Sequence, residues 1–167
     1  MTYEIAVDAH GSLPEVETEG LDIDQLHRLI ERVLRSELVD PGTGITLLLA
    51  ADAYLQELNR EFRAMDEPTD VLAFGASEGA EFPTAEDEPE YLGDIVVSLP
   101  LARRQAEAAS IEPIEELHHL VVHGILHLLG YDHEEPMADQ DMRSKEEKFL
   151  GGRIHASRGA ASHILHS

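Results

Sequence analysis

The sequence predicts an α+β domain in which a small mixed sheet of about four strands, mainly parallel with one antiparallel, packs with about five helices. Short apolar runs alternate with helical periodicities through the first half, one pair of strands is joined by a loop alone, and the last third is helical and strongly apolar. At 167 residues the chain suits one domain, 1–167, with a frayed small-residue tail from about 153 to 167.

The elements follow in order. Tyr3, Ile5 and Val7 alternate with polar residues, as in a half-buried strand. From Asp22 to Leu38, Ile23, Leu26, Leu29, Ile30, Val33 and Leu34 recur at helical spacing. Pro41, Gly42 and Gly44 break the chain before Ile45 to Ala50, continuously apolar like a strand buried on both faces. Asp52 is placed to cap a second helix carrying Leu55, Leu58 and Phe62. Pro68, Thr69 and Asp70 precede a third strand, Val71 to Phe74, and the acidic stretch Gly75 to Glu90, with Pro83 and Pro89, reads as a loop. Leu92 to Leu99 returns as a strand, antiparallel to the third because only that loop links them. Ser98 and Pro100 look like a cap and first-turn proline for a helix over Leu101 to Ala109. A buried helix then spans Pro113 to Leu129, and a last one covers roughly Ala138 to Leu150.

Composition narrows the function. The chain has 34 acidic and 12 basic residues, a net charge of -22, which argues against a protein coated in nucleic acid. It has no cysteine, so the ligands for any metal are His, Asp or Glu. The N-terminus lacks a basic start and an apolar core, and no apolar run reaches the length of a membrane span, so a soluble cytoplasmic protein is expected. Arg60 with Arg63 and Arg103 with Arg104 form two local basic clusters, the second better read as a solvated face of ion pairs.

The run HGILHLLGYDH, His123 to His133, carries the chemistry. His123 and His127 lie four residues apart and can aim two imidazoles at one point from a single helix face. Gly130 tolerates the left-handed conformation that ends a helix and lets the chain bring His133 toward them. With ten histidines in the chain, a pair at helical spacing can arise by chance. The complete pattern on an otherwise apolar helix favours a metal site, because two unpaired imidazoles are costly to bury. Three nitrogens leave one position of a tetrahedral zinc open, as in catalytic centres.

This run, together with LNREFRAMDEPTDVLAF (Leu58 to Phe74) and YLGDIVVS (Tyr91 to Ser98), resembles the bacterial rRNA maturation factor family, the YbeY-type endoribonucleases. The three blocks occur in the family's order and cover the chain from about 45 to 150. The resemblance implies a zinc-dependent, single-strand-specific endoribonuclease that matures the 3' end of 16S rRNA and takes part in ribosome quality control. It implies one zinc on His123, His127 and His133, an RNA-phosphate role for Arg63, and rRNA and small-subunit ribosomal particles as partners, with neither membrane nor DNA. The family commonly has a lysine where this chain has Met65 and a serine where it has Ala73.

Three neutral imidazoles leave the zinc's charge uncancelled, which favours hydrolysis. Zincin proteases place a glutamate directly after the first histidine of a similar metal helix; here that position is Gly124, so a peptidase would need Asp132 or another carboxylate instead. RNA cleavage asks mainly for charge stabilisation at phosphorus, which zinc and Arg63 could supply. For Arg63 the structural alternative is an ion pair with Asp66 or Asp70. His119, one turn before His123, is a candidate to support a ligand or to pack, and Asp132 a candidate near the substrate. A metalloprotease-like hydrolase and a non-catalytic ribosome-associated module stapled by zinc remain the alternative functions.

Overall fold

The computed structural model describes residues 3–76, 90–130 and 144–150. In chain order the elements are β1 (Glu4–Ala9), α1 (Glu15–Thr18), α2 (Ile23–Ser36), β2 (Gly44–Ala50), α3 (Asp52–Arg63), β3 (Val71–Gly75), β4 (Tyr91–Ser98), α4 (Leu99–Ala109) and α5 (Pro113–Leu128), and residues 144–150 are again helical. The strands form one sheet in the order β1-β2-β4-β3. β1 pairs with β2 and β2 with β4 in parallel, while β3 runs antiparallel to β4, with Ala73 opposite Ile95. The mixed sheet expected from the sequence is therefore present, with its antiparallel strand at the margin.

Alternation along the strands divides the interior in two. Ile45, Leu47, Leu49, Val71, Ile95 and Val97 share one buried cluster with Leu26, Ile30 and Leu34 of α2 and Leu120, Val121 and Ile125 of α5. Leu48, Ala50, Leu72, Phe74 and Val96 face the other way and pack with Leu55 and Leu58 of α3. α5 and α3 thus cover opposite faces. Each fully buried Leu or Ile contributes roughly 1.5–3 kcal/mol of apolar burial, so α5 owes its position to its apolar stripe.

Two glycines set the spacing. A Cβ added at Gly124 would stand 2.8 Å from Ile95 Cγ2, so α5 lies on β4 at a distance only glycine permits. Gly93 has φ +150 and sits at the irregularity where β4 carries one residue more than β2; a Cβ there would meet Phe74 O at 2.3 Å. Asp22 caps α2 as a side chain accepting from Gln25 N, and Ser98 caps α4 by accepting from Leu101 N. Asp52 does not cap α3. The cap is Ala51, and the Asp52 carboxylate instead accepts from Ser98 Oγ and pairs with Arg104. The four-residue α1 has no counterpart in the sequence reading, being too short for periodicity to register. Of the expected last helix, 138–143 lie outside the described residues, as do most of the acidic loop and the tail 153–167. Among the described residues no helix is long and apolar enough to cross a membrane.

Candidate metal and RNA site

The histidine helix presents one polar stripe on an apolar body. Glu116, His119, His123 and His127 follow one another at intervals of three, four and four residues, which places them along a single face of α5. The first three are almost wholly buried and His127 is partly exposed in the last turn. Gly130, with φ +99, ends the helix by donating from its N–H to His127 O at 3.0 Å, the left-handed turn expected there.

The buried members are linked. His119 Nδ1 lies 3.3 Å from Glu116 Oε1, and His123 Nδ1 lies 3.2 Å from Glu146 Oε2. His119 Nε2 completes the chain at 3.3 Å from Glu146 Oε2. At His123 the carboxylate at Nδ1 fixes the tautomer, with the proton on Nδ1 and the lone pair of the neutral imidazole on Nε2, whereas the His119 ring stands between two carboxylates, one at each nitrogen. Burial pushes the His123 pKa below its ordinary value, against the opposing pull of Glu146, and His119 and His127 lower it further. A neutral imidazole backed by a carboxylate is the form in which histidine binds a metal, so His123 and Glu146 fit a divalent cation on chemical grounds.

His127 lies one turn beyond His123 on the same face. His133 and Asp132 lie outside the described residues. Among the described residues alone, no group of three or more His, Asp or Glu stands ready to hold a metal ion. His119 supports the cluster through its two carboxylate contacts. The residue missed from sequence is Glu146. Its signal was its place on the stripe shared by Phe149 and Leu150, three and four residues on, where a carboxylate replaces an apolar side chain.

Arg63 lies on the opposite face of the sheet, against Phe74. It is the last residue of α3, and the left-handed turn at Ala64, φ 58, sends the chain toward β3. Asn59 organises that turn: its O accepts from Ala64 N and from Met65 N at 3.2 Å, and its buried Nδ2 donates to Glu67 O at 3.0 Å. Arg63 Nη2 donates to Ala73 O at 3.2 Å, and the guanidinium Cζ stands 5.0 Å from the centroid of the Phe74 ring. Asp66 accepts from Gln56, and Asp70 from Gln105. α5 packs against β3 from the first face, so Arg63 and the histidine helix flank one edge strand without sharing a face. Ala73, in the family's serine position, is buried and contributes its carbonyl to Arg63; Met65 is exposed. Arg103 pairs with Glu17 and Arg104 with Asp52, as a solvated ion-pair face would.

Comparison with known proteins agrees with the blocks read from the sequence. The family profile described as Endoribonuclease YbeY matches residues 14–152. Endoribonuclease YbeY of Chloroflexus aggregans is 42% identical over 153 residues, covering 90% of this chain and 95% of its own. The Desulforamulus reducens protein of the same name is 44% identical over 131 residues, covering 76% and 86%. The solution structure of TM1509 from Thermotoga maritima superposes with a TM-score of 0.52 at 26% identity, covering 96% of this chain and 99% of that one. On the breadth of these matches, the chain belongs to the endoribonuclease YbeY family.

Proposed function

We propose that this protein is a zinc-dependent endoribonuclease that cleaves single-stranded RNA, with the 3' end of 16S rRNA on small-subunit particles as its substrate in the cytoplasm and a part in ribosome quality control. The observation that carries the metal reading is the His123 Nδ1 to Glu146 contact on the helix that bears His127. His123, His127 and His133 would hold the ion. When bound, zinc supplies positive charge and Lewis acidity to phosphodiester cleavage.

The protein's own residues do the rest. Glu146 holds the His123 ring in one tautomer and orientation. Arg63, braced by Ala73 O and the Phe74 ring, presents a guanidinium suited to a phosphate's two oxygens beside the β3 edge. Gly124 provides no carboxylate, and its Cα–Cβ direction leads into Ile95, so the glutamate a zincin peptidase uses has no room at that position. That favours the nuclease over the protease.

The test is cleavage of a 3'-extended 16S rRNA precursor with and without chelator, alongside elemental analysis. Wild type should carry about one zinc per chain. His127→Ala should lose most of the metal and the cleavage with it. Full metal occupancy in that variant would overturn the ligand assignment, and cleavage indifferent to chelator would overturn the metal dependence.

A further inference from the structure

Glu146 lies 23 residues beyond His123 in the chain, yet only 2% of it is exposed. Its carboxylate is the meeting point of two rings, 3.2 Å from His123 Nδ1 and 3.3 Å from His119 Nε2, and His119 is held in turn by Glu116. A carboxylate removed from water at this depth costs several kcal/mol unless polar partners answer it, and here two imidazoles do. The segment around it is otherwise tethered at its rim to α2. Lys145 Nζ pairs with Glu37 at 3.0 Å, Lys148 Nζ donates to Ser36 Oγ at 2.8 Å, and Arg32 Nη2 donates to Phe149 O at 2.8 Å. Among these polar contacts, only Glu146 ties segment 144–150 to the histidine helix.

We propose that Glu146 is the positioning residue of the metal centre and that it couples metal uptake at His123 to the docking of segment 144–150 on α5. The inference rests on the reading of His123 as a ligand. With Nδ1 committed to Glu146, the ring offers Nε2, made more basic by the negative charge behind it. His119 keeps the carboxylate from swinging away. A cation that prefers this state of His123 therefore prefers the docked segment, and by linkage the docked segment raises affinity for the cation by the same factor.

The test uses the full chain. Zn2+ affinity is measured by competition with a chromophoric chelator, and hydrogen exchange is followed at 144–150 and in α2, with and without Zn2+. In wild type, Zn2+ should slow exchange at 144–150. Glu146→Gln, which preserves size but removes the charge, should bind Zn2+ about 10- to 100-fold more weakly and lose that zinc-dependent slowing, while α2 stays protected. Glu146→Asp, which keeps the charge but shortens the reach, should fall between and serves as the readout if the glutamine variant does not fold. Wild-type affinity in a folded Glu146→Gln protein would overturn the proposal. So would weaker binding with the zinc-dependent slowing intact, since loss of charge alone would explain that. A wild type that takes up no Zn2+ would instead overturn the ligand assignment underneath.

Discussion

The guanidinium of Arg63 lies over the ring of Phe74, with Cζ 5.0 Å from the ring centroid, while Nη2 of the same group donates to the carbonyl of Ala73. One cation is thereby oriented by two consecutive residues of the edge strand. An exposed cation–π contact is worth about 0.5–1 kcal/mol and a hydrogen bond of this kind about the same, enough to pre-orient a side chain that would otherwise be mobile.

Arg63→Ala should therefore keep the fold and the zinc but lower cleavage of single-stranded RNA by roughly 100-fold or more, since a charge aimed at a transition state is typically worth that much. Lysine should recover only part, lacking the planar fork that meets both the carbonyl and a phosphate. Rates at matched zinc content check this, and equal rates would remove Arg63 from the chemistry.

Asp70 predicts a pH dependence of stability. Burial raises its pKa from 3.8 to about 6, the hydrogen bond from Gln105 opposes this, and the charge of Glu116 adds to the rise. The folded protein thus binds this proton more tightly than the unfolded chain. Stability from this group falls as pH rises between 3.8 and about 6, and the full penalty, on the order of 3 kcal/mol, stands above that window. Asp70→Asn should be at least as stable as wild type at pH 7.5, with the difference between the two shrinking toward pH 4.5. Urea denaturation at both values measures it, and a pH-independent difference would contradict the raised pKa.

Leu38 offers a stabilising change. It follows the end of α2 at φ 59, is 88% exposed, and lies where Val39 N donates back to Leu34 O. Glycine adopts that conformation without the Cβ penalty, and almost no packing is lost. Leu38→Gly should gain roughly 0.5–1 kcal/mol, which for a domain of this size raises the melting temperature by about 1–4 °C. A lower melting temperature would show that the side chain has a role elsewhere.

Gly124 should resist even a methyl group. Alanine brings a helix preference of about 1 kcal/mol but forces Ile95 aside, and overpacking a core costs typically about 1–3 kcal/mol. Gly124→Ala should be net destabilised, and Ile95→Ala should cost less in that background than in wild type. Strictly additive losses would mean that the two sites do not press on each other.

Much of this architecture was legible in advance because it is local. The spacing of Leu26, Leu29, Ile30, Val33 and Leu34 specified α2, the apolar run from Ile45 specified β2, and a loop too simple to cross the sheet specified the antiparallel pairing of β3 with β4. What stayed hidden depends on contacts far apart in sequence. Asp52 looked like a helix cap, yet its carboxylate takes Ser98 and Arg104, on an element whose approach no local pattern encodes. For Arg63 the sequence offered a phosphate role or an ion pair with Asp66 or Asp70, and its contact with a backbone carbonyl ten residues away has no sequence signature. Glu146 is the clearest case, because its partners come from another helix and only its place in an apolar stripe hinted at burial.

The marginal position of β3 has a consequence for how molecules of this protein meet one another. Among the described strands β3 pairs with β4 alone, and sheet margins are where extended chains add and aggregation is seeded. Here the carbonyl of Ala73 is engaged by Arg63, and that of Val71 meets Thr69 Oγ1 in a long contact of 3.5 Å. A second copy approaching this margin must first displace a guanidinium braced on an aromatic ring, and it does so against the mutual repulsion of two chains each carrying -22. The contact of Arg63 with Ala73 O thus also guards this margin of the sheet, so its removal should favour self-association.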